Sequence, residues 1–177
     1  MTNQLEFDAD LPLEESTGLQ ELVQNPEGDL HLRFFLESGE ELAMPAMGIR
    51  EVLAIASDQI TPVPNVSPYL LGILNLRGQV VWVTDVGQFL GEPKPITIDQ
   101  GELSIIVIES GEMILGLAVS SVKGMEWLNA ETLRPASNVN DNLLPFIAGE
   151  WVASNASEKP LQLINPEAII KSSKWVA

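Results

Sequence analysis

The chain has 177 residues, of which 45% are hydrophobic and 19% charged, and 25 acidic against 9 basic residues give a net charge of −16. This composition excludes a largely disordered protein, and the length fits one domain or two small lobes. The negative charge argues against nucleic acid and anionic membrane surfaces as partners. Without cysteine there is no disulfide, thiolate zinc site or thiol nucleophile. We see no secretory signal and no apolar run long enough for membrane insertion, and expect a cytoplasmic protein.

The start of the chain differs from the rest in charge. Residues 1–30 contain eight acidic residues and no Lys or Arg. We expect residues 1–30 to be an acidic, mostly mobile arm and residues 31–177 to be the folded body. One helix candidate lies in the arm, where a capping-box spacing at Thr17 precedes apolar residues at helical spacing. A short helix that docks on the body or on a partner is therefore the alternative to a solvated arm. The apolar residues of this candidate are Leu19, Leu22 and Val23.

From His31 onward the hydrophobic pattern predicts β-strands. Short runs rich in β-branched residues are bounded by Gly, Pro, Asn or Ser, and several are apolar on both faces, as covered strands are. Few helices are expected, one turn after Ser67-Pro68 and one after Asn165-Pro166. The predicted fold class is mainly β. The predicted strands after the first include Val80–Val83, Leu103–Ile108, Met113–Val119, Phe146–Ala153 and Leu161–Ile164.

One pattern occurs twice. Arg33–Glu40 reads RFFLESGE and Ile105–Glu112 reads IIVIESGE, and each is followed by a second apolar run and a bend into a third. Ser-Gly at the centre suits a hairpin turn, because glycine accepts positive φ without steric cost. The repetition predicts two related β lobes.

Residues able to carry chemistry are few. His31 is the only histidine and has no neighbouring acid or hydroxyl cluster, so a structural or surface role is expected. Nucleotide-binding glycine loops and a calcium loop are absent, and we expect no metal and no cofactor. The alternative from another class is a small β-barrel hydrolase with a carboxylate site. The inventory instead predicts that the protein is not an enzyme.

The segment 61–86 is the most informative part of the chain. It contains a proline-stiffened loop, a predicted one-turn helix, and two apolar strands separated at Arg77-Gly78. Arg77 either pairs within the chain with an acid such as Asp85 or Glu51, or anchors a partner surface, where arginine is enriched. The residues themselves leave both roles open.

This segment carries a resemblance to a known family. Val63-Pro64 and Tyr69 lead into Gly72–Gly78, which reads GILNLRG, and then a strand ending at Asp85. With this pattern the sequence resembles the CheW-like domain of bacterial chemotaxis and related signalling arrays, over about residues 31–171. The first hairpin and a Glu-Val element upstream, and a second hairpin downstream, also match. They are Leu42–Pro45, Ile49–Val52 and Gly116–Val119.

The resemblance implies both a fold and a role. The fold is two small five-stranded, SH3-like β-barrels packed side by side. The role is a non-enzymatic adaptor that couples the cytoplasmic tips of methyl-accepting chemoreceptors to the regulatory domain of a CheA-type histidine kinase. A groove between the lobes takes the receptor's helical hairpin, and the protein is recruited to membrane-associated arrays. The alternative is a module of the same fold that regulates type IV pilus (twitching) motility or phototaxis through a different client.

The same resemblance implies the contact residues. Arg77 and Glu51 are expected in the contact region, with Val52 and Leu74 against receptor side chains. Trp82, where the family usually has proline, and Val86-Gly87 depart from the pattern. Apart from the resemblance, Trp127 and Trp151 are expected to be buried in strands, and Trp175, near the terminus, is expected to be exposed. The full predicted partner-binding set is Glu51, Val52, Leu74, Asn75, Leu76, Arg77, Gly78 and Asp85.

Overall fold

A computed structural model describes residues 28–98 and 101–176 of the chain. Most of the predicted arm, including the helix candidate after Thr17, lies outside the described residues. Strand β1 already begins at Asp29, so the last two residues assigned to the arm open the first strand. Eleven strands are found in the described part: β1 Asp29–Phe35, β2 Glu41–Pro45, β3 Ile49–Ala56, β4 Ile60–Thr61, β5 Leu70–Leu76, β6 Gln79–Asp85, β7 Glu102–Ser110, β8 Met113–Val119, β9 Ser121–Leu128, β10 Ile147–Trp151 and β11 Leu161–Ile164.

The helices in the described part are short, as predicted. Two are α-helical, α1 at Val86–Phe89 and α2 at Pro166–Ile170. Asp85 caps α1 and Asn165 caps α2, each accepting a hydrogen bond from the backbone NH three residues on. Asn165-Pro166 thus begins a helix, as predicted. The remaining helical turns are 3₁₀: Ser57–Gln59, Ala130–Thr132, Leu144–Phe146 and Ser173–Trp175.

The strands form two sheets, one in each lobe. Sheet A has the order β10-β11-β2-β1-β9 and sheet B the order β3-β7-β8-β6-β5-β4. Strand β3, at one edge of sheet B, continues through a 3₁₀ turn into β4. Strand β4 pairs with β5 at the opposite edge, so one continuous segment of chain forms both edge strands. The six strands of sheet B therefore close like the five-stranded barrel that was predicted.

Sheet A closes in the same way. After β9 the chain passes through a 3₁₀ turn, and Arg134 then pairs with Glu150 of β10. The backbone NH of Arg134 donates to the Glu150 carbonyl at 2.9 Å, and the reverse bond is 2.8 Å. Both lobes are thus built on one plan, which confirms the prediction of two related β lobes.

The repeats and the lobes do not coincide, which the sequence did not reveal. Strands β1–β3 and β7–β9 carry the repeated pattern, but the third strand of each crosses to the other sheet. β3 pairs with β7, and β9 pairs with β1. Each barrel therefore contains strands from both halves of the chain, and neither half can complete a barrel alone.

The largest apolar cluster lies between the two sheets. Alternate residues of β7 face opposite ways: Ile106 and Ile108 belong to this inter-lobe cluster, whereas Ile105 and Val107 fill the interior of barrel B. This double burial explains why the strand is apolar on both faces. A smaller cluster around Trp151 fills barrel A.

Three local predictions need correction. Ser67-Pro68 begins a turn into β5 rather than a helix, because the Ser67 carbonyl accepts the Leu70 NH and its hydroxyl donates to the Lys174 carbonyl. Trp127 is exposed, whereas Trp151 is buried as predicted. Trp175 is half-buried rather than exposed: it stacks on Phe89 at 4.6 Å between ring centres.

His31 has a structural role. Its side chain is buried, Nδ1 donates to the Asp29 carbonyl at 2.7 Å, and the ring lies edge-on to Trp151 at 5.2 Å. A buried imidazole whose polar atom is bonded to backbone serves packing within barrel A.

Candidate partner-binding surface

The turn between β5 and β6 displays Arg77 at the end of barrel B. Arg77 and Gly78 both have positive φ, 50° and 83°, which is typical of a two-residue hairpin turn. The Asn75 side-chain oxygen accepts a hydrogen bond from the Gly78 NH at 2.9 Å and fixes the turn. The Asn-Leu-Arg-Gly sequence therefore builds a tight turn with an arginine at its tip.

The arginine forms an ion pair with β3 at this end of the barrel. Its guanidinium donates to the Glu51 carboxylate on β3, and next to it Arg50 donates to the Gln79 side chain at 3.0 Å. The Arg77 side chain is nevertheless 70% exposed. The structure thus answers the question left open by the sequence, since the intramolecular partner is Glu51, and most of the guanidinium surface still faces outward.

The structure brings five of the eight predicted residues together here. Glu51 lies on β3 and contacts the β5–β6 turn. The other four residues are the last two of β5 and the two of the turn itself. Asn75, Arg77 and Gly78 are exposed, and Leu76 is half-buried. We call this set the Arg77 cluster: Glu51, Asn75, Leu76, Arg77 and Gly78.

Val52 lies on a different face. It follows Glu51 on β3, so its side chain points to the other side of the strand, and its register partner Ile106 belongs to the inter-lobe cluster. It remains 42% exposed at the margin of that face. Val52 therefore faces the margin of the inter-lobe core, whereas Arg77 lies at the end of barrel B.

The structure buries Leu74 and Asp85, two of the predicted contact residues. Leu74 is buried in the core of barrel B. Asp85 is buried as well, and its carboxylate accepts from the backbone NH groups of Gln88 at 3.1 Å and Ile96 at 2.8 Å. In this structure Leu74 fills the barrel, and Asp85 holds α1 and the following loop.

An apolar groove lies between β6–β8 and α2. Its volume is about 470 Å³. One wall comes from sheet B and the other from α2 and the C-terminal turn, which follow β11 of sheet A. The family resemblance implied a groove between the lobes but did not indicate these lining residues. The one sequence feature that could have indicated them is Trp82, which stands where the family usually has proline and which lines the groove. The lining includes Trp82, Met113, Leu115, Ile170 and Trp175.

Two further findings concern ions and membranes. In residues 28–98 and 101–176, no three His, Cys, Asp or Glu side chains are grouped as a metal site requires. Within the same residues, none of the helices has the length and apolar character needed to cross a bilayer.

Comparison with known proteins decides the family. The model of the CheW-like domain matches residues 32–174, which include both barrels and the Arg77 cluster. The chain belongs to the CheW-like domain family. The match ends close to the C-terminal turn that packs on the inter-lobe core.

The individual relatives include chemotaxis proteins and Protein PilI. The chain is 25% identical to the chemotaxis protein CheW of Klebsiella aerogenes over 142 residues, 79% of this chain and 81% of that one. It is 27% identical to Protein PilI of Pseudomonas aeruginosa over 137 residues, 76% of this chain and 72% of that one. The crystal structure of the scaffolding protein TtCheW from Thermoanaerobacter tengcongensis shares the fold, with a TM-score of 0.63 and 22% identity over 78% of this chain and 89% of that one.

Proposed function

We propose that this CheW-like protein is a non-enzymatic adaptor that couples chemoreceptors to a CheA-type histidine kinase. The observation that carries the proposal is the Arg77 cluster, a structured turn that presents a mostly exposed guanidinium at the end of a barrel. An arginine held by one carboxylate keeps donors free for a partner, and arginine is enriched among residues that dominate interfaces. The regulatory domain of the kinase is the partner we assign to this surface.

The inter-lobe groove supports the second half of the proposal. Its apolar lining, with Trp82 and Met113 partly exposed at the rim, suits the apolar face of an amphipathic helix. We assign it to the cytoplasmic tip of a chemoreceptor, whose helical hairpin presents such a face. Recruitment to membrane-associated arrays would then follow from the receptor and not from a membrane contact of the adaptor itself.

A module for type IV pilus motility or phototaxis is the second candidate. The similarity to Protein PilI, which covers 76% of the chain, favours it alongside the chemotaxis relatives. Both candidates use the same surfaces and differ in the client that binds them.

The test is coelution of the full chain with the regulatory domain of a CheA-type kinase from the same cell, at micromolar concentration and moderate salt. Arg77→Glu should abolish the shared peak, because it replaces the donor with a charge that Glu51 repels. Lys94→Glu is the matched control: Lys94 is 65% exposed and lies 3.8 Å from one acid, Glu37, outside the Arg77 cluster. It should leave the complex intact.

Three results distinguish the two surfaces from each other and the chemotaxis candidate from the pilus candidate. Exposed ion pairs contribute little to stability, so circular dichroism should show Arg77→Glu folded. Trp82→Ser should keep the kinase complex and lose binding to a receptor tip fragment. If wild type fails to bind the kinase domain, the chemotaxis proposal is wrong, and the regulatory domain of a pilus-type kinase becomes the client to assay.

A further inference from the structure

Strand β9 presents two large apolar side chains that the described residues leave uncovered. Met125 is 52% exposed and Trp127 51% exposed. As alternate residues of one strand they point to the same side of sheet A. In the pairing with β1, Met125 lies opposite Leu32 and Trp127 opposite Leu30. The patch therefore continues the apolar face that Leu32 buries against the other lobe, and we call Leu30, Met125 and Trp127 the β9 patch.

The N-terminal arm joins the body at this patch. Asp29, the first residue of β1, pairs with Leu128 at the end of β9. Gly28 packs so closely there that an added Cβ would lie 2.2 Å from the Leu128 carbonyl oxygen. Gly28 therefore lies beside Leu128, the neighbour of Trp127 on β9.

The arm has a segment that matches the patch in size and chemistry. Leu19, Leu22 and Val23 recur at helical spacing, and this segment lies outside the described residues. From Val23 to Gly28 the chain spans at most about 18 Å, whereas the three residues from Met125 to Leu128 cover about 10 Å. The apolar residues can therefore reach every part of the patch. A helix this short is marginal in water and needs an apolar surface to form.

From this arrangement we infer that residues 17–24 dock as a short amphipathic helix on the β9 patch of their own chain. The tether makes the contact intramolecular, with an effective concentration in the millimolar range, which favours it over a second copy at micromolar concentration. Charge does not drive it, because the arm has eight acidic residues and no basic ones and the body is also net negative. The contact is apolar, and added salt should strengthen it by screening this repulsion.

The chain contains no cysteine, so a pair of introduced cysteines can report the contact in the full-length protein. Leu22→Cys combined with Met125→Cys should oxidise rapidly to an intramolecular disulfide, seen as a monomer on a non-reducing gel that no longer takes up a thiol-alkylating reagent. The matched control is Leu22→Cys with Val80→Cys, since Val80 is also exposed but lies on β6 of the other lobe. The control pair should close at least tenfold more slowly.

Other outcomes overturn the inference. Equal rates for the two pairs would mean that the arm samples the surface without a docking site. Disulfide-linked dimers in the Met125 pair would mean that a second copy occupies the patch.

A measurement without cysteines checks the same contact. Leu19→Asp with Leu22→Asp should shift the tryptophan emission of the full chain to the red, because Trp127 becomes solvated, and the shift should vanish in a Trp127→Phe background. Leu11→Asp with Leu13→Asp, in the arm but outside the segment, is the control and should leave the emission unchanged. An emission unaffected by the first pair contradicts the docked helix. Neither assay needs a kinase or a receptor, so their result is independent of the proposed function.

Discussion

Two glycines allow the barrels to close. Gly72 on β5 packs against Thr61, the last residue of β4. A Cβ added at Gly72 would be 2.2 Å from the Thr61 carbonyl oxygen. Gly149 has the same place in barrel A, where a Cβ would meet the Arg134 carbonyl oxygen at 2.7 Å. Both sit at register shifts, where the strand bends. The glycine that begins the family motif thus has a structural reason, separate from any partner.

We expect Gly72→Ala to be far more destabilising than Gly39→Ala. Both glycines have positive φ, 149° and 87°, but a Cβ at Gly39 has no atom within 4 Å. The backbone penalty alone predicts a loss of about 1–2 kcal/mol for Gly39→Ala. The clash with Thr61 should add about 2 kcal/mol or more at Gly72. Urea denaturation followed by circular dichroism measures both, and equal losses would show that the closure tolerates a side chain.

Among elements, the β1–β2 turn and the segment after α1 connect the two lobes. Glu37, in the β1–β2 turn, accepts from Thr97 at 2.8 Å and lies 3.8 Å from Lys94. At the other side of the turn, the Glu40 carboxyl faces that of Glu92. The contact between the lobes therefore combines favourable interactions of Glu37 with Thr97 and Lys94 and an unfavourable pair of like charges, Glu40 and Glu92. Other charged groups lining the same cleft are Arg33, Glu41, Glu158 and Lys159.

The unfavourable pair gives a pH dependence with a defined sign. Burial, followed by the neighbouring Glu92, raises the pKa of Glu40 above its usual value, and Lys159 acts in the opposite direction. The folded state therefore holds the Glu40 proton more tightly than the unfolded state does. This contribution favours folding at low pH and is lost as pH rises from the ordinary glutamate pKa through the raised one.

Glu40→Gln should accordingly be more stable than wild type at pH 7, because it removes the repulsion, and the difference should shrink at pH 4. Melting temperatures between pH 4 and pH 7 test this. Glu41→Gln is the control: Glu41 accepts from Arg33 at 2.5 Å and Lys123 at 3.2 Å, so its loss should give no gain at pH 7. A Glu40→Gln protein less stable than wild type at pH 7 would contradict the assignment of the Glu40–Glu92 contact as repulsive.

For the whole molecule, the inter-lobe core joins the two barrels through one apolar cluster. Phe89 lies at its centre, with its ring 4.8 Å from Phe146 and stacked on Trp175. The Lys174 ammonium lies 4.6 Å from the Phe89 ring and donates to the Phe89 carbonyl. The exchange of third strands adds to this coupling, because each barrel needs strands from both repeats. Separate unfolding of one lobe would break both the cluster and the pairing.

We therefore predict a single unfolding transition. Trp82 reports barrel B and Trp151 reports barrel A, so their 5-fluorotryptophan signals in ¹⁹F NMR should disappear at the same urea concentration. Phe89→Ala should lower the free energy of unfolding by about 3–5 kcal/mol and shift both signals together. Two separate midpoints, in wild type or in the variant, would show that the lobes fold independently.

Sequence reasoning succeeded where the determinant is local. Period-two patterns and turn residues located the strands on both sides of Arg77-Gly78, and the repeated Glu-Ser-Gly-Glu turns indicated two related lobes. The Asn-Leu-Arg-Gly motif identified the family and the turn that displays Arg77. Alternation, turn chemistry and motif spacing are properties of neighbouring residues, so the chain carries them wherever the strands are finally placed.

The tertiary structure alone decided which residues meet. Arg77 pairs with Glu51, 26 residues away, only because the barrel curls until the β5–β6 turn reaches β3. The same curvature buries Leu74, while Trp127 lies on sheet A outside the inter-lobe cluster and stays exposed, although tryptophan in a strand predicts burial. Burial and pairing depend on the long-range order of strands, and the exchange of β3 and β9 between sheets leaves no mark on the spacing of neighbouring residues. For this reason the sequence determined the elements and the family of this protein, and the fold determined its surfaces.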